Sequence, residues 1–182
     1  ALNRHMAERG RCNGEKLEEN RARAMVHLEF VCGLYLQQVA KGLYFLHEHP
    51  EHADSWQEGC IREVLCKPGV ARVGCDQCMY GQQTSDGQPV KKPTGFMGNC
   101  VALMKLLQKR CRGRSGLCSR HGGGRHQPCL GKVAQRAAIY HDKLCETVLR
   151  GLAQQLVVDR RLRPGEVGVN IAMHESSDYV EE

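Results

Sequence analysis

The run Gly42-Leu43-Tyr44-Phe45-Leu46-His47-Glu48-His49-Pro50 constrains the fold more than any other stretch. Gly42 stands where a helix should end, because glycine takes the left-handed conformation that a helix C-terminus favours. Four apolar residues follow without a polar break, the pattern of a strand buried on both faces. A His-Glu-His cluster and a proline close it, so residues 43–47 are expected to form a strand. In an open α/β sheet, ligands and catalytic groups gather at the carboxyl ends of strands. Glu48 is on that ground the expected chemical centre, suited to hydrogen bonding or proton transfer. A glutamate satisfied by neighbouring helix N-termini is the competing reading. Alternation along a strand puts His47 and His49 on one face and Glu48 on the other, so the three do not share a ligand.

The flanking segments extend the pattern. Residues 15–41 repeat apolar side chains at Leu17, Ala24, Leu28, Val31, Cys32, Tyr35 and Val39, a three-four spacing that predicts a helix feeding the strand. Ser55 and Glu58 form a capping box ahead of a second helix, which Lys67-Pro68-Gly69 ends. Residues 70–75 read as the next strand. Helix, strand, helix, strand in succession predicts a parallel α/β sheet with right-handed crossovers. A turn-rich excursion over 81–93 rejoins the sheet near 94–97. Asn99 is the expected cap of a helix running to residue 110. Helical patterns resume over 132–140 and, with Asp142 as cap, over 143–158. The organisation expected is a flexible lead (1–14), one α/β domain (15–158) with a basic Cys/His/Gly-rich insertion at 111–131, and a loose tail (159–182).

Charge is distributed unevenly. Of 26 Lys and Arg, eleven fall within positions 87–141, and none of the 20 Asp and Glu does. The net charge of +6 is thus a strongly basic block set against a mildly acidic remainder. A block of one sign points to a polyanion, with nucleic acid the expected partner and DNA favoured over RNA. Lys91, Lys92, Lys109, Arg110, Arg112, Arg114, Arg120 and Arg125 are the candidate contacts. A solvated loop with no partner is the bland alternative. No apolar run approaches the roughly 20 residues that span a bilayer, so no membrane partner is expected.

Eleven cysteines are many, but the number is odd and Cys32 and Cys145 fall at apolar helical positions. That predicts reduced thiols acting as small core residues in an intracellular protein, nuclear or cytoplasmic. Cys75 and Cys78 have C-x-x-C spacing, yet no second such pair completes a four-ligand site; Cys75 is expected to point inward and the pair to be structural. The segment 111–131 holds six glycines in 21 residues. A loop this long needs something to organise it. Zinc held by Cys111, Cys118, His126 and Cys129 is the expected organiser.

Gly-Leu-Tyr-Phe-Leu-His-Glu-His-Pro over 42–50, Ser55-Trp56, Val70-x-x-Val73-x-x-Asp76-Gln-Cys-Met-Tyr-Gly81 and Lys91-Lys-Pro-Thr-Gly-Phe-Met-x-Asn99 occur in that order. In this arrangement the chain resembles, over residues 15–151, a domain of copia-type retrotransposon polyproteins of some protists and fungi. That domain is in turn distantly similar to the catalytic domain of C5-cytosine DNA methyltransferases. The resemblance implies a partial Rossmann-like fold and makes Glu48 the counterpart of the family's Glu-Asn-Val glutamate, which holds the target cytosine. His49-Pro50 replace the Asn-Val. Tyr80-Gly81 match the family's turn, and Lys91 and Lys92 stand loosely for its arginines. The glycine-rich S-adenosylmethionine cradle and the Pro-Cys loop that supplies the attacking thiolate are missing. The resemblance therefore implies a truncated or degenerate methyltransferase-like part of a larger polyprotein. It would use S-adenosylmethionine and act as a DNA (cytosine-5) methyltransferase only with the upstream residues restored. A non-enzymatic, zinc-organised nucleic-acid-binding module is the alternative.

Overall fold

The computed structural model describes residues 14–165. The expected lead, apart from Gly14, and the tail beyond residue 165 lie outside the described residues. Helix α1 spans Gly14–Ala40, strand β1 Leu46–Pro50, helix α2 Gly59–Leu65 and strand β2 Ala71–Asp76. Strand β3 spans Pro93–Gly98, helix α3 Val101–Leu106, helix α4 Gly131–Arg136 and helix α5 Asp142–Val158. Short 3-10 turns cover Asp54–Gln57 and Gln77–Tyr80.

The strands form a three-stranded sheet in the order β1-β3-β2, and both pairings are antiparallel. This corrects the parallel sheet expected from the sequence. β1 and β2 do run the same way, as two strands joined through a helix should, but they do not bond each other. β3 returns from the excursion after residue 81 and inserts between them in the opposite direction. Five of its six residues are buried, which suits the central strand.

β1 begins three residues later than expected. The Asn99 side chain accepts from the N–H of Phe45 (3.1 Å) and donates to the carbonyl of Leu43 (2.9 Å), so it holds the leading residues outside the ladder. That use of Asn99 also removes it as a cap, and α3 starts from Cys100 without a side-chain cap. The expected Ser55–Glu58 capping box is absent, because Ser55 lies inside the first 3-10 turn. His141, not Asp142, caps α5: its Nδ1 accepts from the N–H of Lys143 at 3.2 Å. Pro50, which has no N–H to donate, ends an edge strand, where a missing donor is tolerated.

Each face of the sheet carries a core. The register aligns His47 with Met97 and Arg72, and His49 with Gly95 and Gly74, on one face. There Cys32, Phe45, Trp56, Ile61, Val64 and Met97 pack together under α1 and α2. The other face carries Glu48, Phe96, Val73 and Cys75, packed with Tyr80, Leu103, Met104, Leu107 and Leu144 against α3 and α5. The result is a helix–sheet–helix sandwich whose β2 end opens toward the basic segment. Of the two cysteines expected in the core, Cys32 is buried and Cys145 is exposed.

Candidate metal centre

The centre starts from β2. The strand runs directly into the turn Gln77–Tyr80, which Gly81 closes in the left-handed conformation (φ 95°). A side chain at Gly81 would also meet the ring of His141 at 2.7 Å. This turn buries Cys78 completely. Asp76, buried at the strand end, then captures the far side of the site. Its N–H donates to the carbonyl of Lys109 (3.0 Å), its carboxylate accepts the N–H of Cys111 (2.9 Å), and Lys91 lies 3.7 Å away. Cys111 is thereby set beside Cys78.

The glycine-rich segment folds back as a small hairpin. Ser115 and Gly116 both take positive φ (52° and 78°), and the N–H of Leu117 donates to the carbonyl of Arg114 (2.9 Å). Two consecutive positive-φ residues make a type I′ turn, whose twist suits a tight hairpin. Bonds from Cys118 N–H to the Gly124 carbonyl (2.9 Å) and from His126 N–H to the Gly116 carbonyl (2.7 Å) set Cys118 opposite Gly124 and His126 opposite Gly116, so Cys118 and His126 are diagonal neighbours on one face. Gly113 is required here, because a Cβ would stand 1.9 Å from the Leu117 carbonyl oxygen. The end of the segment is tied to the excursion by Gln127 N–H donating to the Pro89 carbonyl (2.9 Å).

Cys78, Cys111, Cys118 and His126 consequently converge, with one ligand atom from each within 4.8 Å of the others. The Cys111 and Cys118 sulfurs are 3.8 Å apart, and the Cys111 sulfur lies 3.5 Å from His126 Nε2. A disulfide would require about 2.05 Å. A tetrahedral zinc with bonds of about 2.3 Å to sulfur and about 2.0–2.1 Å to nitrogen requires edges of about 3.8 and about 3.6 Å. The cluster can therefore hold a metal such as zinc, on a four-ligand set that leaves no open position.

Further donors point at the sulfurs. Ser119 directs its N–H (3.4 Å) and its hydroxyl (3.5 Å) at Cys111, and the N–H of Arg120 lies 3.4 Å from Cys118. Burial opposes charge on Cys111, but the Ser119 donors and the N–H of Gly113 outweigh it and bring the pKa from 9.0 down to about 6. Burial and then the neighbouring Cys118 and Cys111 push the Cys78 thiol up instead. A coordinated cation overrides such a penalty, since a metal-bound thiol is deprotonated.

Three of the four ligands expected from the sequence thus meet in space. The fourth is Cys78 rather than Cys129, which is half-buried and outside the group. The spacing reads Cys78 as structural together with Cys75; both are fully buried, but Cys75 packs in the core under α3 and α5 whereas Cys78 clusters with Cys111 and Cys118. Glu48 lies outside the centre. It sits beside Tyr140, whose phenol pKa is raised first by burial and then by the Glu48 carboxylate. Its Oε1 is buried and has no hydrogen-bond partner among the described residues. His47 and His49 stack on the opposite face, both against Trp56.

The basic residues divide into two sets. Arg110 is committed to Glu51 through both guanidinium nitrogens, one at 2.6 Å. Lys91 pairs with Asp76, and Lys92 donates to the Ala137 carbonyl (3.1 Å) beneath Tyr140. Lys109 lies 5.7 Å from the Tyr80 ring centre, and Arg120 donates to Gln83 (3.1 Å). The side chains of Arg112, Arg114 and Arg125 are exposed and make no hydrogen bond or ion pair among the described residues. These three belong to the segment that the ligands shape. No helix among the described residues is long and apolar enough to cross a membrane. No family model matches the chain, and no match was found among curated proteins or solved structures.

Proposed function

We propose that the chain is a zinc-organised nucleic-acid-binding module. The observation that carries this reading is the convergence of Cys78, Cys111, Cys118 and His126 within 4.8 Å, with the Cys111–Cys118 and Cys111–His126 distances at tetrahedral length. Three thiolates and one imidazole are soft ligands suited to zinc, and a closed set makes the ion structural rather than catalytic. The ion holds the hairpin that displays Arg112, Arg114 and Arg125, in a block without carboxylates. Those arginines bind phosphate, with DNA the first substrate to try and a nuclear or cytoplasmic setting implied.

Zinc analysis of the purified chain should give one ion per molecule, lost in Cys78→Ser and kept in Cys129→Ser. Fluorescence anisotropy on duplex and single-stranded DNA should show affinity falling with salt. Three neutralised phosphates give a log–log slope of about −2.7 on duplex DNA. Replacing Arg114 and Arg125 by serine should reduce that slope by roughly two thirds. Binding that ignores salt, or that survives chelation unchanged, sinks the proposal.

The methyltransferase-derived polyprotein reading keeps one supporting observation, the buried and unpartnered Oε1 of Glu48, although Glu48 lies in the middle of β1 and not at its carboxyl end as expected. The antiparallel pairing of all three strands lends it no Rossmann framework. It predicts methyl transfer once the upstream polyprotein sequence is joined to the chain, and loss of that transfer in Glu48→Ala. Transfer that the substitution leaves intact rules it out.

A further inference from the structure

Helix α1 carries two apolar faces where a surface helix needs one. Leu28, Cys32, Tyr35 and Val39 pack into the core beneath the sheet. At about 100° per residue, Val26, Phe30 and Leu34 point to the opposite side of the helix. There they are 69%, 64% and 43% exposed. Single exposed apolar residues need no explanation. Three at successive four-residue steps, directly behind the core face, form a seam about two turns long. Gly33 borders it, and a Cβ there would find no atom within 4 Å, so another backbone can approach closely.

We infer that this seam is a self-association surface that pairs α1 with α1 of a second copy, antiparallel, about a two-fold axis at Phe30. A two-fold interface must be complementary to itself, residue i meeting j and j meeting i. The α1 sequence satisfies this requirement. With Phe30 against Phe30, Val26 meets Leu34 of the other copy and Arg23 meets Gln37. Glu19, which also pairs with Arg23 of its own helix (2.5 Å), meets Lys41 just past the end of α1, so opposite charges face each other at both ends of the seam. No like charges are directly opposed along it; Arg23 and Lys41 of the other copy lie one turn apart, both beside Glu19. A parallel pairing would instead set Glu19 against Glu19 and Lys41 against Lys41. The apolar seam is small beside the roughly 800 Å² per partner of a standard interface. The dimer is therefore weak and reversible, and it is independent of the metal centre.

Sedimentation velocity of the full chain over about a hundredfold range of concentration tests this, since mass action makes such a dimer concentration-dependent. The sedimentation coefficient should climb from monomer toward dimer. Phe30→Glu, at an exposed site, should stay monomeric with an unchanged circular dichroism spectrum. Glu19→Lys should weaken the dimer, and adding Lys41→Glu should restore it, which a parallel or unspecific association would not do. A chain that is monomeric throughout overturns the inference, as does a Phe30→Glu variant that associates like the parent or a charge swap that fails to rescue. Removal of residues 1–13 should change nothing; exposure of a stronger dimer on their removal would make that segment the occupant and overturn the pairing.

Discussion

Replacing Cys118 by serine removes a ligand and half of the interior of the basic segment. Between positions 111 and 131 only Cys111 and Cys118 are buried. Fixing about 15 residues costs roughly 15–30 kcal/mol of backbone entropy, at about 1–2 kcal/mol each. Against that stand the backbone bonds from Leu117 to Arg114, Cys118 to Gly124, Gly123 to Arg120 and His126 to Gly116. The N–H groups of Cys111, Arg112, Ser119 and Arg120 add bonds to Asp76, Ser119, Cys111 and Cys118. At about 1 kcal/mol each these supply roughly 8 kcal/mol. These bonds offset only part of that cost, so the segment depends on the ordering that a bound structural metal would add. Cys118→Ser should therefore release residues 112–126 while both sheet cores persist, because neither core draws on that segment. Hydrogen exchange read by mass spectrometry would show fast amides at Cys118, Gly123 and His126, and slow ones along β3. Wild type treated with a chelator should behave the same. Slow exchange in the segment after chelation, or loss of protection in β3 along with it, refutes the reasoning.

Gly95→Ala should destabilise the sheet by about 1–3 kcal/mol, an overpacking cost. A Cβ at Gly95 would lie 2.8 Å from Trp56 Cζ2, and Trp56 is held by its bond to the Pro50 carbonyl (2.8 Å) and by Arg72 above its ring. An unchanged urea midpoint would show that the indole can give way. His47 makes a pH prediction. Burial, and then the nearby His49, lower its pKa from 6.5 to about 4, while Tyr35 bonds its Nδ1 at 3.1 Å and Trp56 packs edge-on. The unfolded chain takes a proton at His47 below 6.5 and the native one only near 4. Stability from this group is therefore complete above pH 6.5 and declines as the pH falls toward 4. His47→Phe should flatten part of that decline in urea titrations of the chelated protein, with His49 responsible for some of the rest. Parallel pH profiles for variant and wild type would contradict it.

What the sequence conveyed followed from local chemistry. Period-two alternation placed His47 and His49 opposite Glu48, and the register of β1 against β3 keeps them so. Glycine density and Cys/His content marked 111–131 as a segment needing an organiser. What it concealed was long-range pairing. The directions of β1 and β2 could be inferred from the helix between them, but nothing in residues 81–92 announces that the following strand will insert between the two. Asn99 reads as a helix cap by composition, yet its amide is occupied by Leu43 and Phe45, more than 50 residues earlier in the chain.

Cys78 was missed for the same reason. Spacing searches look for ligands close in sequence, and its partners begin 33 residues downstream. The link is Asp76. Its carboxylate accepts the Cys111 N–H, and its own N–H bonds Lys109, so the end of β2 is extended sideways into the start of the ligand segment. The sheet therefore does more than support the centre. By fixing Asp76 it sets Cys78 and Cys111 side by side, and the hairpin has only to return Cys118 and His126 to a half-formed site. Such division suits a structural metal, because two ligands are held by a rigid strand end and only the remaining pair must be ordered when the ion binds.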